Sequence, residues 1–240
     1  MGRIGDFFYH LTITILVAAA LVFLLMAFKE QYPIWKNQQE LENLRSKVEK
    51  KKTKNENPHI NWENLKSTNP EIVGWIKVPG TKIDYPILQG KEWNEYLHKN
   101  YKGDYSYAGS IFIQPEAAFN DQHLIIYGHN MKNNTMFGSL PKYSKQEYYE
   151  EHSVLYLLTP KQNYKVKLIA GYVTPSDSKV YEFEKTKEER SGLLKTALDN
   201  SLFTSGTTVS DEDRLLTLST CSYEYDNARF VLMGILKEIG

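Results

Sequence analysis

The run Phe7–Phe28, FFYHLTITILVAAALVFLLMAF, limits this chain most: of its 22 residues only His10 is ionisable near neutral pH. As a helix rising about 1.5 Å per residue, it matches a bilayer's hydrocarbon core of about 30 Å. A helix packed on a soluble core keeps a polar face, and this run has none. A cleaved signal peptide is the stronger rival. Its apolar part usually spans roughly 7–15 residues, however, and no small-x-small cleavage site follows the run here. We read residues 7–28 as an uncleaved transmembrane anchor behind a short N-terminus, residues 1–6.

Charge does not settle the sidedness of that anchor. From Lys29 to Lys54 eight Lys and Arg stand against four Glu, which on the positive-inside count would hold the following domain in the cytoplasm. Long domains translocate largely regardless of such counts. Past the anchor, Ile34, Leu41, Leu44 and Val48 recur at helical spacing and predict an amphipathic helix over Lys36–Lys52. The polar stretch Thr53–Pro58 reads as a linker, so residues 29–58 form a stalk and 59–240 the domain.

The whole chain balances 29 basic against 29 acidic residues, which speaks against a nucleic-acid-coating protein. Its single cysteine, Cys221, excludes an internal disulfide and a Cys-rich zinc site. Short runs rich in Ile, Val, Tyr and Leu alternate with turn residues and predict eight strands: 74–78, 83–87, 109–113, 123–127, 154–158, 164–173, 214–220 and 229–236. Such spacing suits a β-barrel or sandwich. Two helices are predicted between them, over Asn61–Ser67 and Lys187–Asn200, the second with Leu193, Leu194, Ala197 and Leu198 on one face.

Chemistry concentrates in Leu215–Leu236, LLTLSTCSYEYDNARFVLMGIL. Cys221 ends one strand, a polar turn follows, and Arg229 opens the next, so an antiparallel pair would bring the two side chains together. A lone cysteine is either a small buried hydrophobe or a nucleophile; Thr220, Ser222 and Arg229 give this one polar surroundings. A nucleophile needs a histidine to exchange its proton. His129 follows an apolar strand and opens the polar loop Gly128–Met131, where catalytic groups collect. Arg229 reads equally as a surface cation paired with Glu224 or Asp226 and as a stabiliser of an oxyanion. No phosphate loop and no H-E-x-x-H or paired-Cys metal pattern occurs, so neither cofactor nor metal is expected.

The segments TLSTCSYEYDNAR, LIIYGHNM and NPEIVGWIKVPGTKIDYPIL together resemble the class B sortases, membrane-anchored cysteine transpeptidases of Gram-positive bacteria. The resemblance runs from Asn61 to Leu236 with the motifs in the family's order. It implies an eight-stranded barrel with N-terminal helices and a helix before the Cys-bearing strand, matching Lys187–Asn200. It implies Cys221 as nucleophile, His129 as acid and base, and Arg229 holding substrate and oxyanion. Ser219, Thr220, Asn94 and Leu97 would line the substrate groove. Tyr172 and Tyr181 flank the connection that would form its opposite wall, with little local similarity. The implied partners are surface proteins carrying an NPxTx-like C-terminal signal, and an amine of the peptidoglycan cross-bridge or its lipid-linked precursor. The implied topology puts the N-terminus inside the cell and the domain outside. Two other readings share these residues: a peptidase of the same fold whose acyl-enzyme is resolved by water, and a wall-binding barrel in which Cys221 is structural.

Overall fold

Strands form where β-branched and aromatic residues run between turn residues. The computed structural model describes residues 2–48, 60–182 and 186–239. Its strands are β1 (Ile72–Lys77), β2 (Asp84–Gln89), β3 (Ile111–Ile113), β4 (His123–Tyr127), β5 (Val154–Leu158), β6 (Asn163–Pro175), β7 (Leu215–Cys221) and β8 (Ala228–Ile239). Each overlaps its predicted run. They close into a barrel in the order β1-β2-β3-β4-β7-β8-β6-β5, which leaves no open sheet edge. Pairs β2/β3 and β4/β7 are parallel and the rest antiparallel.

The parallel pair β4/β7 requires a long crossover, and β5, β6 and the helices α3 (Gln146–Glu151) and α4 (Lys187–Asp199) fill it. Helix α4 starts with a capping box: Thr186 Oγ1 accepts from the Glu189 amide at 3.2 Å, and the Thr186 amide donates to the Glu189 carboxylate at 2.8 Å. Its apolar face, Leu193, Leu194 and Ala197, joins one core cluster with Tyr172, Leu215, Val231 and Met233. Each buried leucine there contributes about 1.5–3 kcal/mol. The opposite face of β7 and β8 is equally dry: Leu216, Leu218, Phe230 and Leu232 are all buried.

The N-terminal segment differs from expectation. One helix, α1 (Gly2–Val48), covers the apolar run and continues without a break into the second predicted stretch as far as Val48, residues 49–52 lying outside the described residues. Residues 29–35 hold no glycine and no turn cluster, and the helix runs through Pro33, which removes one N–H from the ladder and crowds the carbonyl four residues back. The chain divides into two units, one ending at Asn43 and one starting at Leu44. In the first, the side chains of the apolar run stand exposed, Phe23 at 73% and Leu25 at 68%. The second holds the barrel and helix α2 (Trp62–Thr68), capped by Asn61. The linker expected over Thr53–Pro58 and the start of the domain at residue 59 lie outside the described residues.

Candidate active site

Register places the candidate nucleophile. In the β7/β8 ladder Cys221 is the direct partner of Arg229, so their side chains leave the sheet on one face, Cβ atoms roughly 5 Å apart. The turn between them is built tightly. The Ser222 amide donates to Ala228 O at 2.9 Å, Asn227 takes the left-handed conformation (φ 61°), and the Glu224 carboxylate accepts from the Ser222 hydroxyl and the Tyr223 amide. Those bonds hold the Glu224 carboxyl below its usual range, the Ser222 hydroxyl chiefly. Glu224 is therefore a turn residue, whereas Arg229 donates to Ala228 O at 3.0 Å.

The parallel β4/β7 pairing brings the histidine loop alongside. Tyr127 pairs with Ser219. Beyond it, the Gly128 amide donates to Ser219 O at 3.2 Å and Asn130 Nδ2 donates to Cys221 O at 2.8 Å. The loop that carries His129 thus runs beside the end of β7 that carries Cys221. Other histidines are committed elsewhere: His123 Nε2 bonds the Thr217 hydroxyl, four residues back along β7 from Cys221, and His152 Nδ1 bonds Pro79 O. His129 Nε2 lies 2.8 Å from Leu97 O. A carbonyl only accepts, so Nε2 carries the proton and Nδ1 keeps the lone pair in the neutral ring. Burial of the ring pushes its pKa below the ordinary histidine value and the His98 imidazole, 5.4 Å away between centroids, adds to that, while the bond to Leu97 opposes it.

The expected groove residues separate. Ser219 shares the Cys221 face by strand alternation and its hydroxyl meets Tyr181 Oη at 2.7 Å. Thr220 faces the other way and donates its hydroxyl to Gly128 O at 2.7 Å, so it stands behind Cys221 and braces the histidine loop. Leu97 reaches His129 through its carbonyl. Asn94 is exposed and precedes the short 3-10 turn Glu95–Leu97.

Tyr181, which little local similarity ties to the groove, stands at this site through its bond to Ser219. It ends a 3-10 turn, Lys179–Tyr181, in the connection after β6. Burial pushes its hydroxyl up to about 12; the Ser219 bond and Arg229 lower it, and Cys221 raises it, so the phenol senses both partners of the register pair. Tyr181 also stacks on Tyr127, which touches Trp93 and Phe112. The Tyr127 hydroxyl is buried and has no hydrogen-bond partner among the described residues. Nothing in the local sequence marks Tyr181, because the turn that carries it is only three residues long.

Residues 76–237 match the Sortase domain family. Sortase B of Listeria monocytogenes is 40% identical over 178 residues, covering 72% of each chain. The structure of sortase B from B. anthracis in complex with AAEK1 superposes with a TM-score of 0.74 at 31% identity, over 87% of this chain and 99% of that one. The Staphylococcus aureus sortase B-substrate complex gives a TM-score of 0.69 at 31% identity, over 74% of this chain and 85% of that one. With the barrel topology and these relatives in hand, the chain belongs to the sortase family of cysteine transpeptidases, and within it to the class B sortases.

Proposed function

We propose that this chain joins surface proteins to the cell wall by cleaving an NPxTx-like C-terminal signal after its threonine and passing the acyl group to a peptidoglycan amine. The observation that carries the reading is the direct pairing of Cys221 with Arg229, with the His129 loop alongside. In the first half, Cys221 Sγ attacks the threonine carbonyl carbon and gives up its proton to His129 Nδ1. Arg229 faces the oxyanion as it forms. The tetrahedral intermediate collapses, the C–N bond breaks, His129 returns the proton to the departing amine, and a thioester remains. In the second half an acceptor amine attacks the thioester carbon, His129 takes its proton, and the sulfur leaves. The thioester conserves the energy of the broken amide, so the residues here need no nucleotide to drive the transfer.

The groove for the signal runs past Ser219, Tyr181, Leu97 and Asn94. That a relative was solved as a substrate complex supports a substrate-binding role for this chain. In this reading residues 7–28 anchor the protein, the N-terminus is cytoplasmic, and the domain works outside the cell on arriving exported proteins and on the cross-bridge or its lipid-linked precursor.

Intact-mass measurement on the protein mixed with an NPxTx peptide, with and without an amine acceptor, tests the proposal. Wild type should gain the acyl mass and release it as an amine-linked product, and Cys221→Ala should gain nothing. Release to water alone, across a panel of amines, would make the protein a peptidase. No adduct with any threonine-containing signal would overturn the substrate class.

A further inference from the structure

The Leu97 carbonyl fixes which nitrogen of His129 bears the proton, so whatever fixes Leu97 also controls the reacting atom. A leucine side chain cannot do this, because the bond is made by backbone; the restraint comes from its neighbours. Tyr96, 2% exposed, points into a closed polar network. Its hydroxyl donates to the Glu71 carboxylate and accepts from Asn69 Nδ2 at 2.9 Å. Asn69 gives its second Nδ2 hydrogen to Tyr101 O at 2.9 Å, and its Oδ1 accepts from the Glu71 amide at 2.9 Å. The Tyr96 hydroxyl both donates and accepts, and both Nδ2 hydrogens and the Oδ1 of Asn69 are used, which makes such a cluster rigid. Its base is firm as well, since the Asn69 amide caps α2 through Leu65 O and Glu71 O accepts from the Gln89 amide of β2.

A second contact holds the turn from behind. The Ser110 amide donates to Tyr96 O at 3.0 Å, and Gly109, at φ 58°, lies so close that a Cβ would come within 2.2 Å of Leu97 O. The carbonyl is thus confined between the Gly109 backbone and the His129 ring.

We infer that Tyr96 is a positioning residue for His129: anchored by Glu71 and Asn69, it holds the Leu97 carbonyl where it locks the Nε2–H tautomer and leaves Nδ1 free to exchange the proton. The inference rests on the reading of His129 as acid and base, but the tautomer can be measured without turnover.

The test uses the full-length protein in detergent with ¹⁵N-labelled histidine, comparing wild type with Tyr96→Phe and with Glu71→Gln, which keeps an acceptor for the hydroxyl. Expected is a single Nε2–H tautomer for wild type and Glu71→Gln, and a mixture of tautomers for Tyr96→Phe. With an NPxTx peptide, kcat in Tyr96→Phe should fall roughly ten- to a hundredfold with KM little changed. Should Tyr96→Phe misfold because Glu71 is left unpaired, the double variant Tyr96→Phe/Glu71→Gln removes that charge and carries the same readouts. A folded variant with the wild-type tautomer and unchanged kcat overturns the inference. If wild type shows no turnover, the proposed function is at fault, and the tautomer comparison still decides the role of Tyr96.

Discussion

Cys221 and Arg229 meet because two strands keep register across a six-residue turn, Ser222–Asn227; a slip of one residue would send them to opposite faces. Arg229→Lys keeps the charge but loses the planar fork, so the rate of acyl-adduct formation should fall about a hundredfold while the fold is unchanged. Rapid-quench mass measurement reads this, and a wild-type rate would remove Arg229 from the oxyanion. In the proposed reaction His129 sets the pH response. Its pKa is lowered, by burial first and by His98 second, so the neutral base persists to lower pH than in an ordinary histidine. The acid limb of kcat/KM should therefore lie below the usual histidine value. A proton on His98 disfavours a second one on His129, so His98→Asn should move that limb upward; an unmoved limb would show that the rings do not communicate. Cys221, His129 and Arg229 were legible as candidates because each carries its chemistry in its side chain. The Leu97 carbonyl was not, because any residue supplies one.

Elements decide which of the neighbouring residues can take part. The sequence already contains the reason Thr220 stands behind the site: with a period of two, Ser219 and Cys221 share a face and Thr220 does not. All eight strands were legible from alternation and turn chemistry, with ends that shift by a few residues. The 3-10 turns Glu95–Leu97 and Lys179–Tyr181 were not, since three residues are too few to show a period. Both carry residues of the site. Strand β7, hydrogen-bonded to β4 on one side and β8 on the other, is the element the site depends on most. Leu218, fully buried at its centre, should cost about 2–5 kcal/mol when cut to alanine, visible as a lower Tm. Gly128→Ala should act differently. Its Cβ would come 2.4 Å from Ile111 Cδ1 and 2.9 Å from Phe137, at the start of the histidine loop. The expected loss is about 1–3 kcal/mol of stability, with a fall in adduct formation larger than the lost folded fraction explains. A loss of activity that merely tracks the folded fraction would separate Gly128 from the positioning of His129.

At the scale of the whole chain, one unit presents an apolar helical surface and the other a folded enzyme. The run Phe7–Phe28 stands exposed along α1, its hydropathy is that of a membrane span, and none of it is buried among the described residues. Exposure of that much apolar surface is stable only if another phase covers it. An anchored reading makes two outcomes testable. Val17→Arg, near the centre of the run, opposes insertion by about 2.5–3.5 kcal/mol and should move the protein out of the carbonate-washed membrane pellet. Wild type should stay in it, and a wild-type protein recovered in the supernatant would refute the anchor. Sidedness is the second outcome, and it bears on function directly, because exported proteins and wall amines are met only outside. Protease added to intact cells should remove the barrel domain and leave the anchor behind. A protected domain would place the active site with the cytoplasm, where an acyl-enzyme made at Cys221 would have no wall amine to receive it, and the proposed transfer would fall even if the thioester formed.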